Sequence, residues 1–572
     1  MHEVSKPLRT NVESYRPVKI QADLEPIDSS VKSNSAQGAS APGNDLRNIQ
    51  WCSTTFSDGD LIASNEKRPW PMADQPLLLA LDQGTSGSRA ALFNAQGQLV
   101  ASASNPVPIE YPADGWVQQD PMAIWSSQQQ AMAALESQLS EEQRRAIVSC
   151  GITNQRETTV LWRRSSGTSC GPALVWQDGR TNSICSSWKR EGLEQEWCQR
   201  TGLLLDPYFS ASKINWMLTH YPEAREAARD DDLCFGTVES WLLWNLSKGK
   251  LHCSDMSNAS RTLLMDLERR EWMDDFRSKT GLPSNALPEL KPCRGDFGTI
   301  HEELPFAGLP IQAMLGDQQA ATLGQLCLET GEAKCTYGTG AFLVINTGGG
   351  IRRSDAGLLS TLGWTDETGN PTYCLEGSLF NAGTVIQWLR DGLKIIDSAD
   401  EVNQLALEVK DSAGVMLVPA FTGWGTPHWD PGARGLLIGL TRDSRRGHIA
   451  RAALEGIALS VATLIELAEN AMGQGLGELA VDGGAAASNL LLQAQANSSG
   501  LRVRRPGNLE STAKGVALFA GLQAGVISNL DSLVPHRQEG AEFFEPNLHE
   551  KNRAALRSRW NNAVQRSLGW HD

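Results

Sequence analysis

From residue 76 onward, short apolar runs alternate with amphipathic stretches, and this alternation restricts the chain to an α/β fold. The run LLLALD predicts a buried strand, and RAALFNAQGQLVASA predicts two more strands around a turn at Asn94–Gly97. DPMAIWSSQQQAMAALESQL is typical of a helix, with Asp120 as its N-cap and Pro121 at its first position. AIVSCGITNQRE predicts a further strand that runs into a polar end.

A second passage repeats the organisation of the first. CTYGTGAFLVINTGG, at residues 335–349, places a polar Gly-Thr turn before an apolar strand, as DQGTSGS does near the start of the ordered sequence. Later, ELAVDGGAAASNLLLQAQA predicts a strand, a glycine turn and a helix. The preceding stretch, HIARAALEGIALSVATLIELAENAMG, predicts a helix that ends near Gly473. The matching turns suggest duplicated domains.

The length of the chain also predicts two large domains, because single hydrophobic cores rarely serve 572 residues. Residues 1–74 differ from the rest: they are rich in Ser, Asn, Gly and Pro and show no sustained helix or strand period. Two interpretations stay open for them. They form a disordered extension, or the natural start is Met72, just before the ordered sequence.

Composition excludes several classes of protein. The chain has 51 Lys and Arg against 66 Asp and Glu, and the net charge of −15 disfavours a nucleic-acid or anionic-membrane binder. No apolar run is long enough to span a bilayer and no signal peptide opens the chain, so we expect a cytoplasmic protein without membrane insertion. No cysteine pair has CxxC spacing, so we expect free thiols at Cys52, Cys150, Cys170, Cys185, Cys198, Cys234, Cys253, Cys293, Cys327, Cys335 and Cys374.

Three polar segments follow apolar runs, and each allows two interpretations. LDQGTSGSR offers glycines, hydroxyls and Arg89 to a phosphate, or forms an ordinary β-hairpin turn. NQRE places Arg156 and Glu157 at a strand end, where they suit the hydroxyls of a polyol or form a surface salt bridge. In GDQQAA, Asp317 accepts the proton of a substrate hydroxyl or caps a helix.

An ordered series of motifs resembles the FGGY family of carbohydrate kinases from about residue 76 to about residue 530. The series is LDQGTSGSR, NQRETT, VWQDGR, DPYFSASKINW, NASRT, GDQQAA, YGTG, EGSLFNAGTVIQWLRD, PAFTGWGTPHWDP, RGLLIGLTR and VDGGAAASN. NQRETT and GDQQAA are features of the glycerol kinases within that family. The resemblance implies an α/β fold of two actin-like, ribonuclease-H-like domains with the active site in the cleft between them. Residues 75–325 would bind polyol and phosphate, and residues 326–572 would bind nucleotide.

The resemblance also implies a reaction: transfer of the ATP γ-phosphate to a terminal hydroxyl of glycerol, giving glycerol 3-phosphate and ADP. Asp317 would be the general base, and Arg89 would act with it on the transferred phosphate. The polyol contacts implied are Arg156, Glu157, Tyr208, Asp317 and Gln318, with Trp176 and Phe342 as an apolar wall. The nucleotide contacts implied are Thr85, Ser86, Arg89, Thr339, Gly383, Gln387, Gly484 and Ser488. Mg²⁺ would be held by Asp82 and Asp317.

The chain departs from the family pattern at four positions. Glu239 stands where Asp is usual, Ser488 replaces an Asn on the adenine side, Gln118 replaces an acid, and His428 replaces a Tyr. The Gly- and Arg-containing loop that binds fructose 1,6-bisphosphate in some family members is absent from EELPFAGLPIQAM, so we predict no control by that sugar.

Two alternatives to a glycerol kinase stay open at this point. One is a kinase of another small polyol or sugar, and the other is a catalytically silent actin-like sensor. The resemblance further implies a homodimer or homotetramer.

Overall fold

The computed structural model describes residues 75–571. Both interpretations of residues 1–74, including a start at Met72, therefore lie outside the described residues. The ten cysteines within the described range are all free thiols, as predicted.

The first lobe is built around a five-stranded sheet. Its strands are β1 (Leu77–Gln83), β2 (Gly87–Asn94), β3 (Leu99–Pro106), β4 (Ile147–Asn154) and β5 (Ile311–Gly316), in the order β5-β4-β1-β2-β3. β1 pairs antiparallel with β2, β2 antiparallel with β3, and β1 and β5 both pair parallel with β4. The predicted turn joins β2 to β3, with the Gly97 N–H donating to the carbonyl of Asn94 at 2.9 Å.

The second lobe is built around a seven-stranded sheet that contains the same core. Its strands are β6 (Ala333–Tyr337), β7 (Ala341–Gly348), β8 (Leu359–Thr365), β9 (Pro371–Leu379), β10 (Glu478–Asp482), β11 (Arg502–Arg505) and β12 (Glu542–Phe544). The order is β8-β9-β7-β6-β10-β11-β12. The central strands β9-β7-β6-β10-β11 repeat the order and the pairing directions of the first sheet. This repeat confirms the predicted duplication of an actin-like domain.

Five helices fix the positions of the site residues. They are α1 (Pro121–Gln138), α2 (Asp317–Gly324), α3 (Arg446–Met472), α4 (Asn489–Ser499) and α5 (Ser511–Gln523). Asp120 caps α1 as predicted, accepting from the Met122 N–H at 2.9 Å, and α3 ends at Gly473 in the left-handed conformation. α3 is the one helix among the described residues that is long and apolar enough to cross a membrane, and most of its apolar window is buried in the protein.

Helices α2 and α5 pack backbone against backbone at two glycines. A Cβ on Gly324 would lie 1.9 Å from the carbonyl oxygen of Ser511, and a Cβ on Gly515 would lie 1.8 Å from that of Ala320. The apolar side chains of α5 pack with those of β1, β2, β5 and α2 in one buried cluster. A helix from the C-terminal part of the chain therefore completes the core of the first lobe.

The remaining elements surround the two sheets. The helices are Glu141–Ala146, Asn182–Arg190, Glu194–Thr201, Ser210–His220, Pro222–Arg229, Val238–Leu246, Met256–Ala259, Asp274–Thr280, Gly383–Gln387, Glu401–Leu407 and Glu550–Gln565. The strands are Gln118–Gln119, Val160–Arg163, Ala173–Leu174, Leu233–Gly236, Cys253–Asp255, Met265–Asp266, Glu271–Trp272, Glu289–Lys291, Met416–Val418 and Leu436–Ile438. Short helices of other types are Ser284–Ala286, Trp388–Gly392, Gly484–Ala487 and Asp531–Gln538.

Candidate active site

Charged side chains collect at the carboxyl ends of three neighbouring parallel strands of the first sheet. Asp82 lies near the end of β1, Arg156 follows β4, and Asp317 follows β5. The register places Asp82 beside Thr153 and Gly316 beside Asn154, so these strand ends lie at one edge of the sheet. Ligands of open α/β sheets bind outside this edge.

Asp317 is the first residue of α2. Its Oδ1 accepts from the backbone N–H of Gln318 at 2.7 Å and lies 3.2 Å from Nε of Arg156. Gly316 takes the N-cap position instead, so the helix-cap interpretation of Asp317 is wrong. The side chain is 29% exposed. Burial raises the pKa of Asp317, although Arg156 and Lys334 oppose the rise. A carboxylate whose pKa is raised can accept a proton from a hydroxyl held beside it.

Asp82 is the second carboxylate at this edge. Burial raises its pKa to about 6; the positive charge of Arg89 opposes the rise and the negative charge of Asp317 adds to it. Carboxylates at such an edge offer oxygen ligands of the kind that a hard divalent cation prefers. No group of three or more His, Cys, Asp or Glu side chains within residues 75–571 is arranged to hold a metal ion.

Arg156 and Glu157 belong to a buried network of four charges. The Nη1 and Nη2 of Arg156 donate to the two carboxylate oxygens of Glu376 at 2.6 and 2.9 Å. Arg261 donates through Nε to Glu157 at 2.6 Å and through Nη2 to Glu376 at 2.9 Å. The surface salt bridge considered for NQRE is therefore wrong, because all four side chains are almost fully buried.

Sequence reasoning missed the roles of Glu376 and Arg261. Both occur in motifs that carry the resemblance, EGSLFNAG and NASRT, but a single acid or arginine in a motif does not indicate its partner. Burial would raise the pKa of Glu376, yet Arg156 and Arg261 outweigh it and lower the pKa to about 2. Glu376 is therefore held as a carboxylate, and the guanidinium groups stay fixed against it.

Glu157 adopts a backbone conformation that is costly for its residue type. Its φ is 61°, in the left-handed region that few residues other than glycine occupy. The Oγ of Ser210 donates to its carbonyl oxygen at 3.0 Å, and the Arg261 ion pair holds its side chain. Such strain persists only where surrounding contacts enforce it, and it is found at ligand sites.

Aromatic rings line the space beside these charges. The Trp176 ring meets the rings of Tyr208 and Phe342 edge-on, with centroids 5.7 Å apart in both pairs. Phe380 extends the group, 6.1 Å from Tyr208. Trp176 also donates through Nε1 to the Oγ1 of Thr85 at 3.0 Å, which ties the apolar wall to the first Gly-Thr turn. The structure thus brings an apolar wall next to the charged network.

The turn between β1 and β2 carries the first group of predicted phosphate contacts. LDQGTSGSR forms a hairpin, which confirms that interpretation, and its role as a phosphate site stays a prediction. Ser86 is exposed at its tip, and Thr85 is half-buried. The side chain of Arg89 forms an ion pair with Glu510, next to the start of α5, and donates to the Oγ of Ser104 at 3.0 Å.

The turn between β6 and β7 carries the matching group in the second lobe. Thr339 is exposed at its tip, and its carbonyl accepts from the Ala382 N–H at 2.9 Å. The Gly383 N–H donates to the carbonyl of Gly338 at 2.9 Å, and a Cβ on Gly383 would lie 2.6 Å from that oxygen. Gln387 is half-buried one helical turn later. Glycine is needed at 383 for this close approach.

Gly484 and Ser488 lie between β10 and α4. Gly484 is exposed, and a Cβ there would meet nothing within 4 Å. Ser488 caps α4, accepting from the Leu491 N–H at 3.2 Å, and its hydroxyl also donates to Asn403. The hydroxyl therefore has two protein partners, and the backbone of the glycine turn is the more accessible surface.

A buried lysine that the sequence did not indicate joins the two lobes beside Asp317. Lys334 on β6 donates to Oε1 of Gln318 and, at 2.8 Å, to Oγ1 of Thr336. Gln318 was predicted to contact polyol, whereas its amide oxygen accepts from this lysine. Burial lowers the pKa of Lys334, and Asp482 and Asp317 oppose the shift.

The departure at Glu239 lies behind the strand that carries Arg156. Its carboxylate accepts from Nδ2 of Asn154 at 3.2 Å and from the hydroxyl of Ser254 at 2.7 Å. Burial and the charge of Asp255 raise its pKa to about 7. Glu239 thus supports the end of β4 through its bond with Asn154.

Comparison with known proteins identifies the relatives of this chain. The profile of the FGGY family of carbohydrate kinases matches with its N-terminal domain at residues 77–324 and with its C-terminal domain at residues 333–524. The glycerol kinase of Thermus brockianus is 48% identical over 495 residues, which cover 86% of this chain and 99% of that protein. The glycerol kinase of Dechloromonas aromatica is 47% identical over 86% of this chain and 98% of its own length.

Solved structures agree with this assignment. Plasmodium falciparum glycerol kinase with ADP superposes with a TM-score of 0.78 at 32% identity, covering 86% of this chain and 98% of that one. The xylulose kinase of Rhodospirillum rubrum, at 21% identity, superposes with a TM-score of 0.71 over 86% of this chain and 98% of its own. The second match concerns the fold alone.

Proposed function

Because the chain belongs to the FGGY family of carbohydrate kinases, we propose that it is a glycerol kinase. It transfers the γ-phosphate of ATP to a terminal hydroxyl of glycerol, giving glycerol 3-phosphate and ADP, in glycerol uptake and degradation. The observation that carries the proposal is the pairing of an aromatic wall with a fixed Arg156–Glu157 pair beside Asp317. Glycerol has a CH face for the wall and hydroxyls that both donate and accept for the charges.

The polyol lies between Trp176 and Phe342 on one side and Arg156 and Glu157 on the other, with Tyr208 closing the pocket. Asp317 accepts the proton of the terminal hydroxyl of glycerol, and the oxygen of that hydroxyl attacks the γ-phosphorus of ATP. Phosphoryl transfer depends mainly on positioning and charge neutralisation, so a carboxylate is a sufficient base. The bond from Lys334 to Gln318 holds the Gln318 side chain beside Asp317, the proposed base.

The phosphates of ATP meet both Gly-Thr turns. Thr85, Ser86 and Arg89 contact them from the first lobe, and Thr339, Gly383 and Gln387 from the second. Arg89 exchanges its ion pair with Glu510 for the phosphate, since both partners are about one-third exposed and free to separate. The adenine lies against Gly484, with Ser488 behind it.

Mg²⁺ fits the pair of carboxylates at Asp82 and Asp317. The negative charge of Asp317 adds to the rise in the pKa of Asp82, and a divalent cation between the two carboxylates would relieve this repulsion. Their oxygens match the ligand preference of Mg²⁺, which binds through one or two carboxylates plus substrate phosphates. When bound, the ion neutralises the charge of the terminal phosphates.

The wider setting follows from the same family membership. We expect a cytoplasmic enzyme that acts as a homodimer or homotetramer and binds neither nucleic acid nor membrane, in line with its net charge of −15.

A substrate panel tests the proposal. Purified protein is assayed for ADP release with ATP and Mg²⁺ over a range of glycerol, dihydroxyacetone, erythritol and xylulose concentrations. The proposal predicts the highest kcat/KM for glycerol. A higher kcat/KM for xylulose would refute it and would assign the chain to another polyol within the same fold.

A further inference from the structure

Glu376 is the one contribution of the second sheet to the charged network at the predicted polyol site. It lies on β9, and its side chain is 0% exposed. The two side chains that form ion pairs with it, Arg156 and Arg261, belong to the first lobe. This buried carboxylate therefore connects the second sheet to two charged groups of the first lobe, as Lys334 connects it to Gln318.

The bonds of Arg156 show how completely Glu376 determines its position. Nη1 donates to Glu376 at 2.6 Å and to Gln319 at 3.3 Å, and Nη2 donates to the second oxygen of Glu376 at 2.9 Å. This bidentate pairing fixes the plane of the guanidinium. The remaining nitrogen, Nε, is thereby directed to within 3.2 Å of the Asp317 carboxylate.

Arg261 extends the same control to Glu157. Its Nε and Nη2 bond Glu157 and Glu376 side by side, and its guanidinium carbon lies 5.6 Å from the centre of the Tyr208 ring. Glu376, Arg261 and Glu157 therefore form a chain of contacts that ends beside the aromatic wall. The left-handed backbone of Glu157 makes its position dependent on these contacts.

The charges of the network balance: two arginines face two glutamates, and all four side chains are almost fully buried. Loss of one buried partner leaves the opposing charge unpaired and is far more costly than loss of a surface pair. Glutamine at position 376 removes one of the two negative charges and replaces one carboxylate oxygen by an amide group that cannot accept, so the bidentate pairing with Arg156 is lost and both guanidinium groups move.

We propose that Glu376 is an interlobe positioning residue, which holds Arg156 directly and Glu157 through Arg261 in the orientation that binds the polyol. This inference rests on the proposed function, because it concerns the substrate of that same site. It makes polyol affinity depend on the placement of the second sheet against the first lobe.

The test compares Glu376→Gln with a matched control, Glu478→Gln. Glu478 is also a strand glutamate bonded to a buried arginine, with Nε of Arg504 2.7 Å away, but it lies on β10 outside the polyol network. Glu376→Gln is expected to raise the glycerol KM about 10–100-fold, the range found when a partner that orients a ligand-binding side chain is removed. The ATP KM stays within about twofold, and the control leaves both constants nearly unchanged.

The second measurement is the affinity for glycerol, determined by calorimetry without nucleotide. Glu376→Gln is expected to lose affinity by the same factor by which its glycerol KM rises. Arg261→Lys covers the case in which Glu376→Gln fails to fold. Lysine keeps the positive charge but cannot bridge two carboxylates, so Arg261→Lys should also weaken glycerol binding and leave ATP binding unchanged. Glu376→Asp should recover part of the affinity for glycerol. In the double variant Glu376→Gln/Arg261→Lys the losses should not multiply, because both act through one unit.

An unchanged glycerol KM, equal changes in the glycerol and ATP KM values, or fully multiplicative losses would each overturn the proposal. Failure of the proposed function gives a different result, since the unsubstituted protein would then not phosphorylate glycerol in the substrate panel. The comparison of Glu376→Gln with Glu478→Gln would in that case use the polyol that the panel identifies.

Discussion

The contact of α2 with α5 allows a substitution whose effect is calculable from the structure. In Gly515→Ala the new Cβ would lie 1.8 Å from the Ala320 carbonyl oxygen and 2.8 Å from the Gly324 nitrogen. Both atoms belong to a helix backbone and cannot rotate away, so the helices must separate by roughly 1 Å or more. Overpacking costs about 1–3 kcal/mol, and a clash with helix backbone lies at the upper end of that range, about 3 kcal/mol. Alanine returns about 1 kcal/mol of helix propensity, which leaves a net loss of about 2 kcal/mol.

Gly521→Ala is the control in the same helix. Its Cβ would meet Cδ1 of Leu78 at 2.6 Å and Cδ1 of Ile527 at 3.0 Å, which are the ends of flexible side chains. Rotation of these side chains costs less free energy than movement of a helix, and alanine brings the same gain in helix propensity. We therefore expect the free energy of unfolding of Gly521→Ala to lie within about 1 kcal/mol of that of the unsubstituted protein.

The two variants should differ in activity as well. Asp317 is the first residue of α2, so a shift of that helix moves the base away from the substrate hydroxyl. A misplacement of about 1 Å costs on the order of 10²-fold in rate. The measurements are the midpoint of urea unfolding and kcat with glycerol. Equal midpoints and equal kcat for Gly515→Ala and Gly521→Ala would refute the reasoning.

Two further predictions concern single side chains. Asp317→Asn should lower kcat about 10²–10⁴-fold while calorimetry still detects glycerol binding; unchanged turnover would remove Asp317 from the mechanism and favour a different base. His252 donates to the Phe235 carbonyl at 2.8 Å, and burial lowers its pKa from 6.5 to about 4. Between these values the unfolded chain takes up a proton that the folded protein does not, so stability present above pH 6.5 is lost as the pH falls toward 4, by about 3 kcal/mol. From pH 7.5 to 4.5 the midpoint of urea unfolding should therefore fall less steeply for His252→Gln than for the unsubstituted protein. Identical slopes would contradict the lowered pKa of His252.

The strands, the duplication and the helix limits follow from the sequence because they depend on local patterns. LLLALD, the turn after Asn94 and the cap at Asp120 each determine their structure within a few residues. The strand ends that carry Asp82 and Asp317 were predictable for the same reason.

The partners of the site residues were not predictable, because they come from distant parts of the chain. Glu376 lies 220 positions from Arg156, and Lys334 reaches Gln318 from the other sheet. The sequence identified Gln318 as polar but not that a buried lysine binds its oxygen. It also predicted a phosphate contact at Arg89 without indicating Glu510, since an ion pair between distant parts of the chain depends on the tertiary arrangement.

One measurement tests the central claim most directly: ADP release from ATP with and without glycerol, each in Mg²⁺ and in excess EDTA. The account predicts rapid ADP release only when glycerol and Mg²⁺ are both present, with glycerol 3-phosphate formed in equal amount. ADP release that does not depend on glycerol, or full activity with glycerol in EDTA, would contradict it.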